Sequence, residues 1–234
     1  MTRRDPTTAD RLACCALFEG LSLQRELERH CPTATTQSFT DRDTIYSQGE
    51  TRSDLFCVLD GQVKLARLSG GGGGFTTALL AAGELFGPGL FGSAEAEARE
   101  TASARGEALV WRVPARELKA LLVQQPLLCL RLVEALARRQ HQLEQRLTSL
   151  ALKRTEARLA ETLRELSGCF ETRCEHGFGQ HLRITQQELA DLVGASRPVV
   201  SSILNRLRDR GILGYSREYL CVRSLDAVER LVDE

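Results

Sequence analysis

The hydrophobic period of the chain changes partway along. Between residues 39 and 113 apolar residues come in short runs broken by glycine: TIYSQGE, LFCVLDGQVKLARL, FTTALLAAGELFGPGLFG and TASARGEALVWRVP. Runs of four to eight residues with turn signals at close spacing predict an antiparallel roll or barrel. The Gly70 to Gly74 run reads as the tip of one hairpin. Beyond Pro114 the spacing becomes helical, with a short helix expected over residues 116–123 and a long one over 126–152. Along the long helix Cys129, Val133, Leu136, Gln140, Leu143, Leu147 and Leu150 alternate steps of four and three, which is the seam of a paired coiled coil. A polar Gln140 inside that seam can fix register at some cost in stability. A third helix, over 155–166, leads into a loop rich in Cys and His.

The densest signals lie in ITQQELADLVGASRPVVSSILNRLRDRG, residues 184–211. Thr185 followed by Glu188 is a capping box that starts a helix. Leu189, Ala190, Leu192 and Val193 give this helix an apolar face, and Gly194 stands where the chain turns without a Cβ penalty. Ser196 is expected to cap a second helix with Pro198 in its first turn, where a missing N–H costs nothing. Val199, Val200, Ile203, Leu204 and Leu207 are its predicted buried side. Arg197, Ser201, Ser202, Asn205, Arg206 and Arg208 are left outward or sideways. This is a helix-turn-helix pattern, and GILGYSREYLCVRS behind it predicts a two-stranded wing around a Ser-Arg-Glu turn.

Composition sharpens this picture where charge is concerned. Over 234 residues, 31 basic and 31 acidic residues cancel. Between Ser196 and Arg223, however, six arginines face only Asp209 and Glu218, so positive charge collects where phosphates would lie. The seven-residue apolar run after Asp10 and Arg11 is short for a secretion signal. The segment over residues 75–92 is broken by glycines, Glu84 and Pro88, so a cytoplasmic protein without membrane contact is expected, with disorder only at its ends. Eight cysteines stand at 14, 15, 31, 57, 129, 169, 174 and 221, and Cys57, Cys129 and Cys221 fit small buried hydrophobes.

The fold class expected is α+β: a helical, cysteine-containing segment over 1–38, a jelly-roll-like effector domain over 39–125, a dimerisation helix over 126–152 and a winged helix-turn-helix over 153–234. This order, and the signature ITQQELADLVGASRPVVSSILNRLRDRGIL above all, resembles the CRP/FNR family of bacterial transcription regulators. Gly49, Gly61, Gly83 and Gly87 match the turn glycines of that family's roll. The resemblance implies a homodimer that reads a palindrome in double-stranded DNA, with successive major grooves about 34 Å apart, and RNA polymerase as a partner. Arg197 matches the arginine that opens the family's recognition helix and suits O6 and N7 of guanine. Pro198 stands where a glutamate reads cytosine, and Ser202 replaces a further arginine, so the half-site is expected to differ from the family's best-known one. Thr185 and Gln187 match phosphate-holding positions; Arg206, Arg208 and Arg217 are further phosphate candidates.

The effector site departs from the family. Gly87, Pro88 and Gly89 occupy the place of a ribose-binding Gly-Glu-Leu segment, and Glu100 then Thr101 stand where an Arg-Ser or Arg-Thr pair holds the cyclic phosphate. A carboxylate facing a phosphate repels it, so cyclic AMP is not the expected effector. A shifted pocket, with Gly83, Glu84 and Leu85 as the first segment and Arg99 before Glu100, is the alternative. Cys169, Cys174, His176 and His181 gather soft and borderline ligands for zinc or iron, or allow a regulatory disulfide between the two cysteines. Cys14, Cys15 and Cys31 do not reproduce the spacing of the family's iron-sulfur branch, and haem has no particular residue to favour it beyond these or His30. An enzyme on the roll lacks its groups, since the histidines at 30, 141, 176 and 181 all fall outside residues 39–113. A protein-interaction module built on the long helix is the remaining alternative to a regulator.

Overall fold

A computed structural model describes residues 11–12, 15, 17–19, 24–68, 74–88, 96–169, 180–215 and 219–232. The chain forms two compact units, residues 1–140 and 141–234. In the first, α1 (Gln24–His30) precedes β1 (Thr35–Phe39), β2 (Thr44–Tyr46), β3 (Thr51–Arg52), β4 (Asp54–Leu68), β5 (Gly74–Leu80), β6 (Leu85–Phe86), β7 (Ala96–Glu97) and β8 (Thr101–Pro114). A six-stranded antiparallel sheet runs β1-β8-β4-β5, with β2 added to β8 and β6 to β4, while β3 pairs with β7. Among the described strands the sheet stays open, with β1 and β5 ending its path, so the roll is the form adopted and not a closed barrel.

β4 and β8, at 15 and 14 residues, are about twice the length expected. The reason sits at Gly61, which the family resemblance marks as a turn glycine. Its φ of +76° and the register shifts between Val58 and Gln62 make it a bulge inside a ladder that continues on both sides. A Cβ there would lie 2.1 Å from the carbonyl oxygen of Glu107, so only glycine lets β4 cross β8 this closely.

Alternation along β4 supplies two cores. Leu55, Cys57 and Leu59 face one cluster; Phe56, Val58, Val63 and Leu65 face the other. The second cluster holds the stacked rings of Phe56 and Phe86, 5.2 Å apart, with Tyr46 tilted against them. In the first, Trp111 meets the edge of Phe18 at 5.6 Å. Leu12, Cys15, Leu17 and Phe18 are buried there, so these N-terminal residues belong to the core. α2 (Ala115–Gln124) seals this face with Leu118 and Leu121, and α3 (Pro126–Leu152) adds Leu128.

The second unit contains the end of α3, then α4 (Thr155–Cys169), β9 (Gln180–Arg183), α5 (Gln186–Val193), α6 (Arg197–Asp209), β10 (Leu213–Tyr215), β11 (Tyr219–Val222) and α7 (Leu225–Val232). Its sheet runs β10-β11-β9. β9 takes residues the pattern assigns to a loop, because the four-residue stretch QHLR is too short to show alternation. α4 likewise runs three residues beyond the expected end and takes Cys169 with it. No single helix among the described residues is long and apolar enough to cross a membrane.

Candidate DNA-binding interface

α5 begins where the sequence says it should. The Thr185 hydroxyl oxygen accepts the Glu188 N–H at 3.2 Å, and the Glu188 carboxylate accepts the N–H of Thr185 at 2.9 Å and its hydroxyl at 2.8 Å. Gln187 donates to Asp191 at 2.8 Å. At the other end Gly194 is left-handed, with φ +66° and ψ +46°, and its N–H donates to the carbonyls of Ala190 and Asp191. The turn is tight against the long helix, since a Cβ on Gly194 would sit 2.7 Å from Cδ2 of Leu150.

α6 follows with two corrections. Ser196 has the extended conformation of an N-cap, but its side chain makes no cap hydrogen bond; Pro198 does fall in the first turn. Val200, Ile203, Leu204 and Leu207 are buried as expected, whereas Val199 is 45% exposed. At 100° per residue, Val199 stands a quarter-turn away from the stripe that Val200 shares with Leu204 and Leu207. The buried stripe holds Val200, Ile203, Leu204 and Leu207 and stops short of Val199, so sequence reasoning assigned one residue too many to it.

The polar residues of α6 separate into two groups. Arg197, Pro198 and Ser202 are exposed, Ser201 is half-buried, and Arg197 makes no hydrogen bond or ion pair among the described residues. The others are engaged within the protein. Arg206 meets Glu156 of α4 at 2.6 Å, Asn205 accepts the Tyr215 hydroxyl at 2.7 Å, and Arg208 lies 5.4 Å over the Tyr215 ring. These contacts brace α6 against α4 and the wing strand β10. β10 and β11 pair antiparallel, Leu213 opposite Val222, which forms the expected wing. Arg217, between them in the sequence, lies outside the described residues.

The seam residues of α3 divide by position. Val133, Leu143, Leu147 and Leu150 are exposed, Leu136 is at the edge of exposure, Gln140 is exposed, and Cys129 is half-buried with its thiol donating to the Leu122 carbonyl at 3.3 Å.

The proposed metal ligands do not share one loop. Cys169 ends α4 and His181 stands on β9 opposite Cys221, while Cys174 and His176 lie outside the described residues. No group of three or more metal-ligating side chains occurs among the described residues. Cys221 is disulfide-bonded and is not the buried free thiol the pattern suggests. On β11 the buried residues are Leu220 and Val222, and alternation turns Cys221 to the other face. Cys57 is fully buried as expected. Cys15 lies beside it, and a hydrogen bond from Cys57 holds the Cys15 thiol below its ordinary range. Burial, with Glu117 nearby, pushes Cys31 up to about 11.

In the roll, Gly87 has φ +110°, and a Cβ there would meet the Phe56 ring at 2.8 Å and the Asp54 carbonyl at 2.9 Å. Pro88 is half-buried and Gly89 lies outside the described residues. Arg99 is exposed, Glu100 is half-buried, and the Thr101 hydroxyl accepts the Gln48 N–H at 3.0 Å. Tyr46, missed by the sequence reading, buries its hydroxyl without a hydrogen-bond partner in the described structure; burial and then Glu100 push its ionisation upward. Glu84 is occupied locally, accepting the Ala81 N–H at 2.7 Å.

Two family models match: the cyclic nucleotide-binding domain over residues 36–125 and the Crp-like helix-turn-helix domain over residues 157–231. The chain is 30% identical over 216 residues to the Cyclic AMP receptor protein of Thermus thermophilus, covering 92% of this chain and 95% of that one. It is also similar to a CRP-family transcriptional regulator of known structure from the same organism, at 26% identity and a TM-score of 0.70 over 85% of this chain and 97% of that one. FixK2 from Bradyrhizobium japonicum shares the fold, with a TM-score of 0.71 at 22% identity over 85% of this chain and 97% of that one. A capped helix-turn-helix with its wing, behind an antiparallel roll and a long helix, thus meets sequence kinship along nearly the whole chain, and the protein belongs to the CRP/FNR family of transcription regulators.

Proposed function

We propose that the protein acts as a homodimer that binds a palindromic operator in the major groove through α6, and that its effector is not cyclic AMP. The observation that carries the reading is the exposed guanidinium of Arg197, without a hydrogen bond or ion pair among the described residues, at the first position of a helix whose other side is buried. Five N–H donors in a planar fork suit the two acceptors of guanine. Pro198 offers no acceptor to a cytosine amino group. Val199 presents an apolar surface suited to a thymine methyl. Thr185, Gln187, Ser196, Ser201, Ser202, Asn205, Arg206 and Arg217 are assigned to the rest of the contact surface, mainly on phosphates.

Pairing rests on α3, where an exposed apolar row built from Val133, Leu136, Leu143, Leu147 and Leu150 is costly in water and gains by facing a second copy. Against cyclic AMP stand Pro88 at the ribose position and the carboxylate of Glu100 at the phosphate position. A cyclic-nucleotide reading through a shifted segment needs Glu84, one of whose carboxylate oxygens already accepts the Ala81 N–H. Redox or metal input through the cysteines, or a domain without ligand, remains the reading for the roll, and RNA polymerase in the cytoplasm is the partner proposed.

Repeated selection from randomised duplexes, with the purified protein in reduced and oxidised forms, tests this. The expected product is an inverted repeat whose half-sites are one helical turn apart. Absence of any enriched sequence in both forms refutes the reading.

A further inference from the structure

We propose that Arg158 is a positioning residue that couples the end of the long helix to the turn of the helix-turn-helix, and so sets where α6 is presented. The inference rests on the DNA-binding reading above. Arg158 lies half-buried on the first turn of α4, and its guanidinium reaches both neighbours at once. Nη1 donates to the Lys153 carbonyl at 2.9 Å, immediately beyond the last residue of α3. Nε donates to the Val193 carbonyl at 3.0 Å, and Nη2 reaches the Gly194 carbonyl at 3.5 Å, the last residue of α5 and its C-cap. Nη2 also lies 3.4 Å from the Thr155 hydroxyl.

The chemistry of those three carbonyls explains why a guanidinium occupies this place. Each lies at or just beyond a helix C-terminus, where carbonyls lack an N–H four residues on and the helix dipole leaves partial negative charge. A cation is favoured at such an end, and here one cation serves two ends. The planar fork sends its donors along fixed, divergent directions, which three donors on a lysine ammonium cannot reproduce from a single point. One rigid group therefore fixes the distance between the end of α3 and the end of α5.

Independent contacts run the same way. Gly194 packs on Leu150, so the turn of the reading unit rests on the last turn of α3. Glu161 on α4 accepts from both Ser149 and Lys153 at the end of α3. Glu156 on α4 holds Arg206 on α6. Arg158 is the side chain among these that bonds directly to both the end of α3 and the turn that precedes α6. A displacement at the end of α3 reaches the recognition helix through it, which is a two-ended contact of the kind coupling requires.

The test compares the full chain with Arg158→Ala, Arg158→Lys and Arg197→Ala, using the selected operator and a random duplex at several salt concentrations. Arg158→Ala is expected to lose about tenfold to a hundredfold in affinity for the operator. Its affinity for random duplex and its salt slope should stay unchanged, since Arg158 faces helix ends and not phosphates. Arg158→Lys, which keeps the charge and folds if the alanine variant does not, is expected to recover only part of the loss. An operator preference in either variant equal to wild type overturns the proposal and leaves the DNA-binding reading standing. Equal loss on operator and random duplex, tracking a lower melting temperature, also overturns it, because that marks a capping role alone. Absence of operator preference in the wild type sinks the DNA-binding reading and the proposal with it.

Discussion

Replacing Arg197 with alanine isolates base reading from every other role of the helix. The side chain is exposed and makes no hydrogen bond or ion pair among the described residues, so its removal should change folding stability by less than about 0.5 kcal/mol. A bidentate contact to guanine is worth roughly 1–3 kcal/mol. If both subunits of a dimer engage their half-sites, the loss doubles to about 2–6 kcal/mol, or at least thirtyfold in affinity. Fluorescence anisotropy with the selected operator, and with a duplex carrying adenine for the contacted guanine, measures both halves of this claim. Wild type should lose affinity on the altered duplex, while Arg197→Ala should bind the two duplexes alike. The same variant should keep the wild-type salt slope to within about one ion per subunit. Undiminished discrimination in the variant refutes the assignment. A uniform loss on every duplex also refutes it, by making Arg197 a phosphate contact.

Leu143→Glu with Leu147→Glu places like charges on the exposed row of α3 and should give monomers in sedimentation velocity that no longer protect a palindrome; a persisting dimer would remove the seam. Thr185→Ala deletes the acceptor for the Glu188 N–H and should cost about 1 kcal/mol in chemical denaturation of the second unit, with Thr185→Ser close to wild type. Burial, and then Glu117, pushes the Cys31 thiol up to about 11 in the folded chain, from about 9 for a free thiol. Its contribution is therefore complete below about pH 9 and is lost as pH rises through 11. Denaturant titrations across that window should show Cys31→Ala losing part of the alkaline slope, and an identical slope would contradict the raised thiol.

The capping box, the glycine turn and the long helix were legible because each depends on neighbours within four residues. Thr185 finds Glu188 by local geometry, and Gly194 is left-handed whatever else the fold does. Gly61 was misread for the opposite reason. A bulge and a turn have the same local signature, and the difference lies in Glu107, 46 residues away, whose carbonyl forbids a Cβ. Val199 was misplaced because the width of a buried stripe is set by what packs on it. The pairing of Arg206 with Glu156, and the stacking of Arg208 on Tyr215, were equally hidden, since charge counts say nothing about partners. Tyr46 lacked any sequence signal: an apolar run gives no notice that one hydroxyl will be buried without a partner.

Those internal pairings also bear on how the basic segment divides its work. Six arginines between Ser196 and Arg223 suggest a broad cationic surface, yet Arg206 is held by Glu156, and Arg208 pairs with Asp209 and lies over the Tyr215 ring. A phosphate can compete for these groups only by displacing a partner already in place, so their net gain on DNA is less than that of a free guanidinium. Arg197 has no such partner to give up among the described residues. The same number of positive charges therefore contributes unequally: bracing of α6 takes up some, and the base-reading role proposed for Arg197 falls to one that gives up no partner among the described residues. On a chain whose total charge is zero, this arrangement favours discrimination between sequences over indiscriminate attraction to the duplex.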